Sequence, residues 1–170
     1  HGINYVLGGG GSAVTKHPAI DTFFLGNKHG FFRYSSGNTA PILWNNRTIY
    51  PTCFDWYRDT LWMGTLTNGL LAYHNGNILE QYPLEDKLGN TVRAIKIHKN
   101  YLIAATGSGL MKVDLKTRSV DVLDETDGLH QREIVGIEVL AGFIYLATTK
   151  GLVQISMKER QPNNAKPNIR

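Results

Sequence analysis

The chain carries six histidines, His1, His17, His29, His74, His98 and His130. None stands in an H-x-x-x-H or H-E-x-x-H spacing, which would place two imidazoles on one helical face around zinc. No G-x-S-x-G elbow occurs to raise a nucleophilic serine. The segment Asp124-Glu125-Thr126-Asp127-Gly128, with Glu133, has the composition of a calcium loop. Its spacing departs from D-x-[DN]-x-[DN]-G and Glu133 falls one residue early, so it reads as an acidic turn between strands. Gly8-Gly9-Gly10-Gly11-Ser12 lacks the lysine of a phosphate-binding loop, and no helix follows it to hold an anion. It reads as a flexible connection with the composition of a linker. Cys53 is the single cysteine, so no intrachain disulfide and no cysteine zinc site can form. It lies in the apolar run Ile49–Phe54 and reads as a small buried hydrophobe. The expectation is therefore no catalytic residue, no metal and no cofactor.

What remains is recognition chemistry. The formal charge is +4, from 18 basic and 14 acidic residues, and the basic residues form no run longer than two. That excludes a dense nucleic-acid stripe. No apolar stretch reaches the roughly 18–20 residues that span a bilayer. Trp44, Trp56, Tyr57 and Trp62 are the prominent aromatics. Trp62 reads as core; Trp44 and the Trp56–Tyr57 pair sit near strand ends, where rings either pack between sheets or stack on sugars. The chain starts at His1 without a signal sequence, and reads as processed or as a piece of a longer protein.

These residues need a scaffold, and the scaffold is a repeat. Phe24-Leu25-Gly26 precedes Gly30-Phe31; Trp62-Met63-Gly64 precedes Gly69-Leu70. Ile103-Ala104-Ala105 precedes Gly109-Leu110, and Tyr145-Leu146-Ala147 precedes Gly151-Leu152. The anchors Gly30, Gly69, Gly109 and Gly151 stand 39, 40 and 42 residues apart. A period of about 40–45 residues built of short strands is that of a propeller blade. In the third unit the strands read as 91–98, 101–106, 109–115 and 119–124. Met111, Val113 and Leu115 alternate with Lys112, Asp114 and Lys116, a half-covered strand. Leu102-Ile103-Ala104-Ala105 is apolar on both faces, as a strand covered from both sides requires. The turn glycines are expected at positive φ, and the small residues Gly26, Gly64, Ala105 and Ala147 where blades converge.

The fold class is thus all-β, with about four blades of four antiparallel strands: 12–46, 48–88, 89–132 and 133–157. The fourth unit lacks a fourth strand after Met157, and Ile3–Leu7 reads as a short strand that closes the ring or belongs to a preceding blade. Residues 158–170 are polar with Pro162 and Pro167, a linker toward a following domain. Four blades are few for a propeller, so the segment reads as part of a larger ring or as one completed by another copy.

Leu61-Trp62-Met63-Gly64-Thr65 with Asn68-Gly69-Leu70 resembles the two-component regulator propeller repeat, whose hallmark is L-W-I-G-T followed by G-G-L and an aromatic. Asp127-Gly128-Leu129 with Ile134-Val135-Gly136-Ile137 resembles that family's turn into the next inner strand, and Asn164–Ile169 the stretch that leads to an immunoglobulin-like domain. The match is close in the second unit and weaker in the others. The resemblance implies a periplasmic, non-enzymatic sensor region of a hybrid histidine kinase, with oligosaccharide ligands in several relatives. Its partners would be adjoining blades and an immunoglobulin-like domain of the parent chain, with homodimerisation left open.

Ligand contacts are expected on the loops between second and third strands and between blades. Lys28, His29, Asn68 and Lys150 lie in the former, together with Asn27, Thr67 and Ser108. Trp44, Arg47, Lys87, His130 and Arg132 lie in or beside the latter, together with Asn46 and Asp86. Polar groups there would read hydroxyls while Trp44 stacks. Two other classes are weighed: a protein-interaction scaffold, and a propeller lyase or hydrolase using His29 and His130 as acid and base.

Overall fold

A computed structural model describes residues 11–84, 88, 91–129 and 134–157, with only the backbone described at Gly11 and Ser12. The strands make four antiparallel sheets, each a meander of chain neighbours. The first contains β1 (Gly11–Lys16), β2 (Thr22–Asn27), β3 (Gly30–Ser35), β4 (Asn38–Trp44) and the short β5 (Arg47–Thr48). The second contains β6 (Pro51–Tyr57), β7 (Thr60–Thr65), β8 (Leu70–His74) and β9 (Asn77–Tyr82). The third contains β10 (Val92–His98), β11 (Tyr101–Thr106), β12 (Leu110–Asp114) and β13 (Val120–Leu123). The fourth contains β14 (Ile134–Leu140), β15 (Phe143–Thr148) and β16 (Gly151–Ser156). These are propeller blades.

Two-residue turns close many of the hairpins. Ser36–Gly37, Asn75–Gly76 and Ala141–Gly142 hold both residues at positive φ, and Asn45–Asn46 folds β5 back on β4 in the same way. Such turns follow the right-handed twist of the flanking strands. The first three lie at one end of their sheets, and Asn45–Asn46 lies at the other end with the longer connections.

The first strand of each blade is the inner one: β1 packs beside β6, β6 beside β10, and β10 beside β14. Alternation along β7 and β11 then sends neighbouring side chains into different cores. Leu61 and Met63 join Phe24, Phe31 and Tyr73 between blades 1 and 2. Trp62 and Leu70 join Leu102, Ala104 and Met111 between blades 2 and 3. Ile103, Ala105 and Leu110 join Ile134, Ile144 and Leu146 between blades 3 and 4. Residues 102 to 105 are all fully buried, which is why β11 is apolar on both faces. Polar contacts cross the same seams. Trp56 Nε1 donates to Thr15 Oγ1 at 3.0 Å, Ile97 N to Asp55 Oδ2 at 2.7 Å, and Lys96 Nζ to Glu138 Oε2 at 3.0 Å.

Two expectations are refined. Gly30, Gly69 and Gly151 sit at positive φ, but Gly109 does not. Space makes Gly109 a glycine: a Cβ there would lie 2.6 Å from Leu123 O. The small residues after the second-strand aromatic are set by the next blade rather than by crowding at an axis. A Cβ on Gly26 would meet Pro51, and one on Gly64 would meet Val92, each the first residue of the next inner strand. The acidic segment forms a capped 3-10 turn over Glu125–Asp127. Asp124 accepts from Thr126 N at 2.8 Å, Asp127 Oδ2 accepts from Asp124 N at 3.2 Å, and Gly128 closes it at φ 89°.

Candidate functional site

One side chain per blade shapes the loop between the second and third strands. Thr65 Oγ1 donates to Gly69 O at 2.8 Å and accepts from Asn68 N at 2.8 Å. Thr106 Oγ1 donates to Gly109 O at 3.0 Å and accepts from Gly109 N at 3.1 Å. Thr148 Oγ1 donates to Gly151 O at 2.9 Å and accepts from Lys150 N at 3.2 Å. In blade 1 the role falls to Asn27, whose Oδ1 accepts from His29 N at 2.8 Å and Gly30 N at 3.1 Å. Thr65, Thr106 and Asn27 are buried. Loop backbone donors are thereby satisfied inside the protein, and Asn27 is an anchor instead of a ligand contact.

The two residues before each turn glycine ride on this constant base. They are Lys28–His29, Thr67–Asn68, Gly107–Ser108 and Thr149–Lys150. Lys28, His29, Thr67, Thr149 and Lys150 are exposed. The blade-to-blade connections reach the same end. Leu66 N donates to Tyr50 O at 3.0 Å, and Thr91 Oγ1 donates to Leu66 O at 3.1 Å. The second blade's loop is thus bracketed by the connections before and after it. Arg47 lies on this end, exposed, opposite Trp44 in the ladder. Trp44 itself is half-buried and packs against the aromatic core of blades 1 and 2. Lys87, His130, Arg132 and Asp86 lie outside the described residues, as does Ile3–Leu7. Among the described residues no hydrogen bond or ion pair joins Lys28, His29, Arg47, Asn68 or Lys150 to one another. They are arrayed along an arc of blades on one end and do not converge on a point.

Cys53 is partly buried against the core of blades 2 and 3, and desolvation pushes its thiol up to about 11. It is a protonated packing group at neutral pH. Glu138, on the inner strand of blade 4, is held below the usual carboxylate range by the Val139 N–H and by Lys96. A feature unread in the sequence is a groove of about 710 Å³ between blades 3 and 4. Val122, Leu123 and Leu129 line one wall and Val153, Ile155 and Met157 the other. It lies where the outer strand of blade 4 would run; among the described residues that blade has three strands. The one sequence signal for it is the missing fourth strand.

No family model and no curated protein matches the chain. Solved structures do. With TM-score 0.69 and 24% identity, 85% of the chain superposes on the extracellular domain of a protein described as the hybrid two component system BT4673 from B. thetaiotaomicron. With TM-score 0.70 and 20% identity, 91% superposes on the extracellular domain of the system BT3049 from the same organism. The fold of this chain recurs within those extracellular domains. The chain spans about a fifth of the length of those structures, 20% and 23%. It also superposes on the computationally designed Ika4 protein, covering 92% of it at TM-score 0.65 and 12% identity. No helix among the described residues is long and apolar enough to cross a membrane.

Proposed function

We propose that the chain is a non-enzymatic, extracytoplasmic ligand-sensing segment of a two-component regulator, forming part of a propeller larger than four blades. The observation that carries this reading is the constant, Thr-anchored loop base with variable exposed tips along one end of the blades. Recognition residues sit on such loops because the scaffold fixes them while the tips vary. The fold likeness to sensor ectodomains supports the sensing role, and the short span against them supports a larger ring. Lys28, His29, Arg47, Asn68 and Lys150 carry donors suited to sugar hydroxyls, so an oligosaccharide is the proposed ligand class, and Lys87, His130 and Arg132 belong to the same proposal. Binding would alter packing between blades and pass through residues 158–170 to the domain beyond.

The test is calorimetric titration of the complete, folded ectodomain against a panel of glycan fragments, repeated with His29→Ala and Arg47→Ala. Heat with at least one fragment, weakened in the variants without loss of melting temperature, is the expected result. No heat across the panel would sink the oligosaccharide reading.

A further inference from the structure

Blade 2 carries an apolar pair on the recognition end that the fold does not require. Tyr50 is 36% exposed and Leu66 is 48% exposed. Leu66 N donates to Tyr50 O, so the two residues stand side by side. The repeat shows what the scaffold accepts at each place. Tyr50 comes just before an inner strand, where blade 3 has Thr91. Leu66 follows the residue that anchors the loop, where the other blades have Lys28, Gly107 and Thr149. Polar or small residues serve the fold at both positions, and side chains left in water at these places add little to stability. The tyrosine is nonetheless held firmly, since Ile49 and Pro51 on either side of it are buried.

Cations flank this pair. The inner strands of blades 2, 3 and 4 each open with a β-bulge, at Thr52, Arg93 and Val135. Arg93 is exposed, and the repeat accepts a neutral residue at its position. Two contacts tie its strand to the apolar pair: Thr91 Oγ1 donates to Leu66 O at 3.1 Å, and Thr52 Oγ1 donates to Val92 O. On the other side, the exposed Arg47 precedes Tyr50 by three residues, about 10 Å of extended chain. That stretch passes the blade 1 loop, where Thr48 packs so close to Gly30 that a Cβ there would lie 2.8 Å from Thr48 Cγ2. Lys28 and His29 are thereby brought alongside. Among the described residues, Lys28, Arg47 and Arg93 have no acidic partner. The described carboxylates of this end, Asp124, Glu125 and Asp127, belong to the connection between blades 3 and 4, where Asp124 and Asp127 cap their own turn. The sector from the blade 1 loop to Arg93 is therefore cationic around an apolar centre, and every part of it lies at a junction inside the chain.

We propose that this sector binds an acidic oligosaccharide, with one sugar ring stacked on Tyr50 beside Leu66 and carboxylate or sulfate groups met by Arg93 and Arg47. A tyrosine ring offers an apolar face to the C–H face of a sugar while its hydroxyl stays in water. A guanidinium meets a carboxylate or sulfate with two parallel N–H bonds, which fixes orientation as well as charge. Arg47 and Arg93 lie to either side of Tyr50, so they address the sugar units before and after the stacked one. A ligand bound in this way touches blades 1, 2 and 3 together. The inference rests on the oligosaccharide reading above and names the chemistry of that ligand, with Tyr50 as the platform in place of the packed Trp44.

Calorimetric titration of the complete ectodomain with two matched pairs of probes tests this. One pair is a galacturonic acid tetrasaccharide and its fully methyl-esterified form; the other is a galactose tetrasaccharide with and without sulfate. At least one acidic probe should bind about tenfold or more tighter than its neutral mate, and added salt should narrow the gap. Arg93→Gln and Arg47→Gln should each remove most of that preference and leave binding of the neutral mate unchanged. Tyr50→Ala should weaken both members of the pair by about tenfold, and Tyr50→Phe should keep the affinity. All four substitutions change exposed residues, and unchanged melting temperatures verify the fold. Neutral probes that bind as tightly as acidic ones overturn the acidic ligand and leave oligosaccharide sensing standing, as does binding confined to neutral members of the wider glycan panel. Silence across these probes and the panel overturns both readings. Full affinity in Tyr50→Ala overturns the platform, and a loss of self-association in that variant with saccharide binding intact assigns the patch to a protein contact instead.

Discussion

Leu110 and Leu152 make a matched pair for testing how the blades are held. They stand at the same repeat position, pair with Ala105 and Ala147 respectively, and differ in cover. Leu110 is fully buried between blades 3 and 4, and Leu152 has nothing over it in a single copy. Truncating Leu110 to alanine removes buried methyl and methylene groups and leaves a cavity between two sheets. Large-to-small core substitutions of this type cost about 2–5 kcal/mol, and a site walled by two backbones collapses poorly, so about 3 kcal/mol is expected. For a domain of this size that is a fall of roughly 6–12 °C in melting temperature. Leu152→Ala should cost under about 0.5 kcal/mol, as surface changes do. The assay is equilibrium urea unfolding of both variants at protein concentrations low enough to keep the chain monomeric. Loss of midpoint with unchanged slope reports stability alone. If Leu152→Ala is as damaging as Leu110→Ala at that dilution, or if Leu110→Ala costs less than about 1 kcal/mol, the account of blade-on-blade packing fails.

Thr106→Val keeps the shape but orphans the buried N–H of Gly109, whose carbonyl still accepts from Thr106 N; a loss of about 1–3 kcal/mol is expected in the same urea assay. Gly69→Ala should cost more than about 2 kcal/mol, since a left-handed φ penalises a Cβ and that atom would lie 2.3 Å from Tyr82 O. Gly76→Ala, at φ 89° with open space around it, should show the conformational part alone, about 1 kcal/mol, in parallel thermal melts. Cys53 should react slowly with a thiol reagent in the native chain and quickly in denaturant, because its thiol is pushed up to about 11. That pKa is raised above its unfolded value. Its contribution is therefore complete below about pH 9 and lost as pH rises toward 11, by at most about 3 kcal/mol. Urea midpoints at pH 8 and pH 10.5 should separate in the original chain, and the part of that separation due to the thiol should vanish in Cys53→Ala.

The strand pattern was legible because it depends on neighbours in sequence. Alternation in Met111–Leu115 and the double-sided apolar run at Leu102–Ala105 are read directly in sequence and reappear as one-sided and two-sided cover. The candidate site was less legible. Asn27 and Ser108 both read as loop polar residues, yet Asn27 is a buried anchor of the turn. Side-chain type cannot tell a hydrogen bond made inward from one offered outward. Trp44 reads as interblade packing ahead of a sugar platform; its position opposite Arg47, on the face shared with Ile42, turns it toward the aromatic core between blades 1 and 2.

By itself the sequence determined the repeat: its period, its strands, the glycines at the turns and the absence of nucleophile, metal and disulfide patterns. These follow from local chemistry, since pleat alternation and turn geometry are set within a few residues. The tertiary structure alone decided which blade faces are covered, that Gly109 and Gly64 are glycines for want of space, and that one Thr or Asn per blade anchors the recognition loops. Those facts depend on how sheets meet across about 40 residues of chain, a relation that no local pattern encodes.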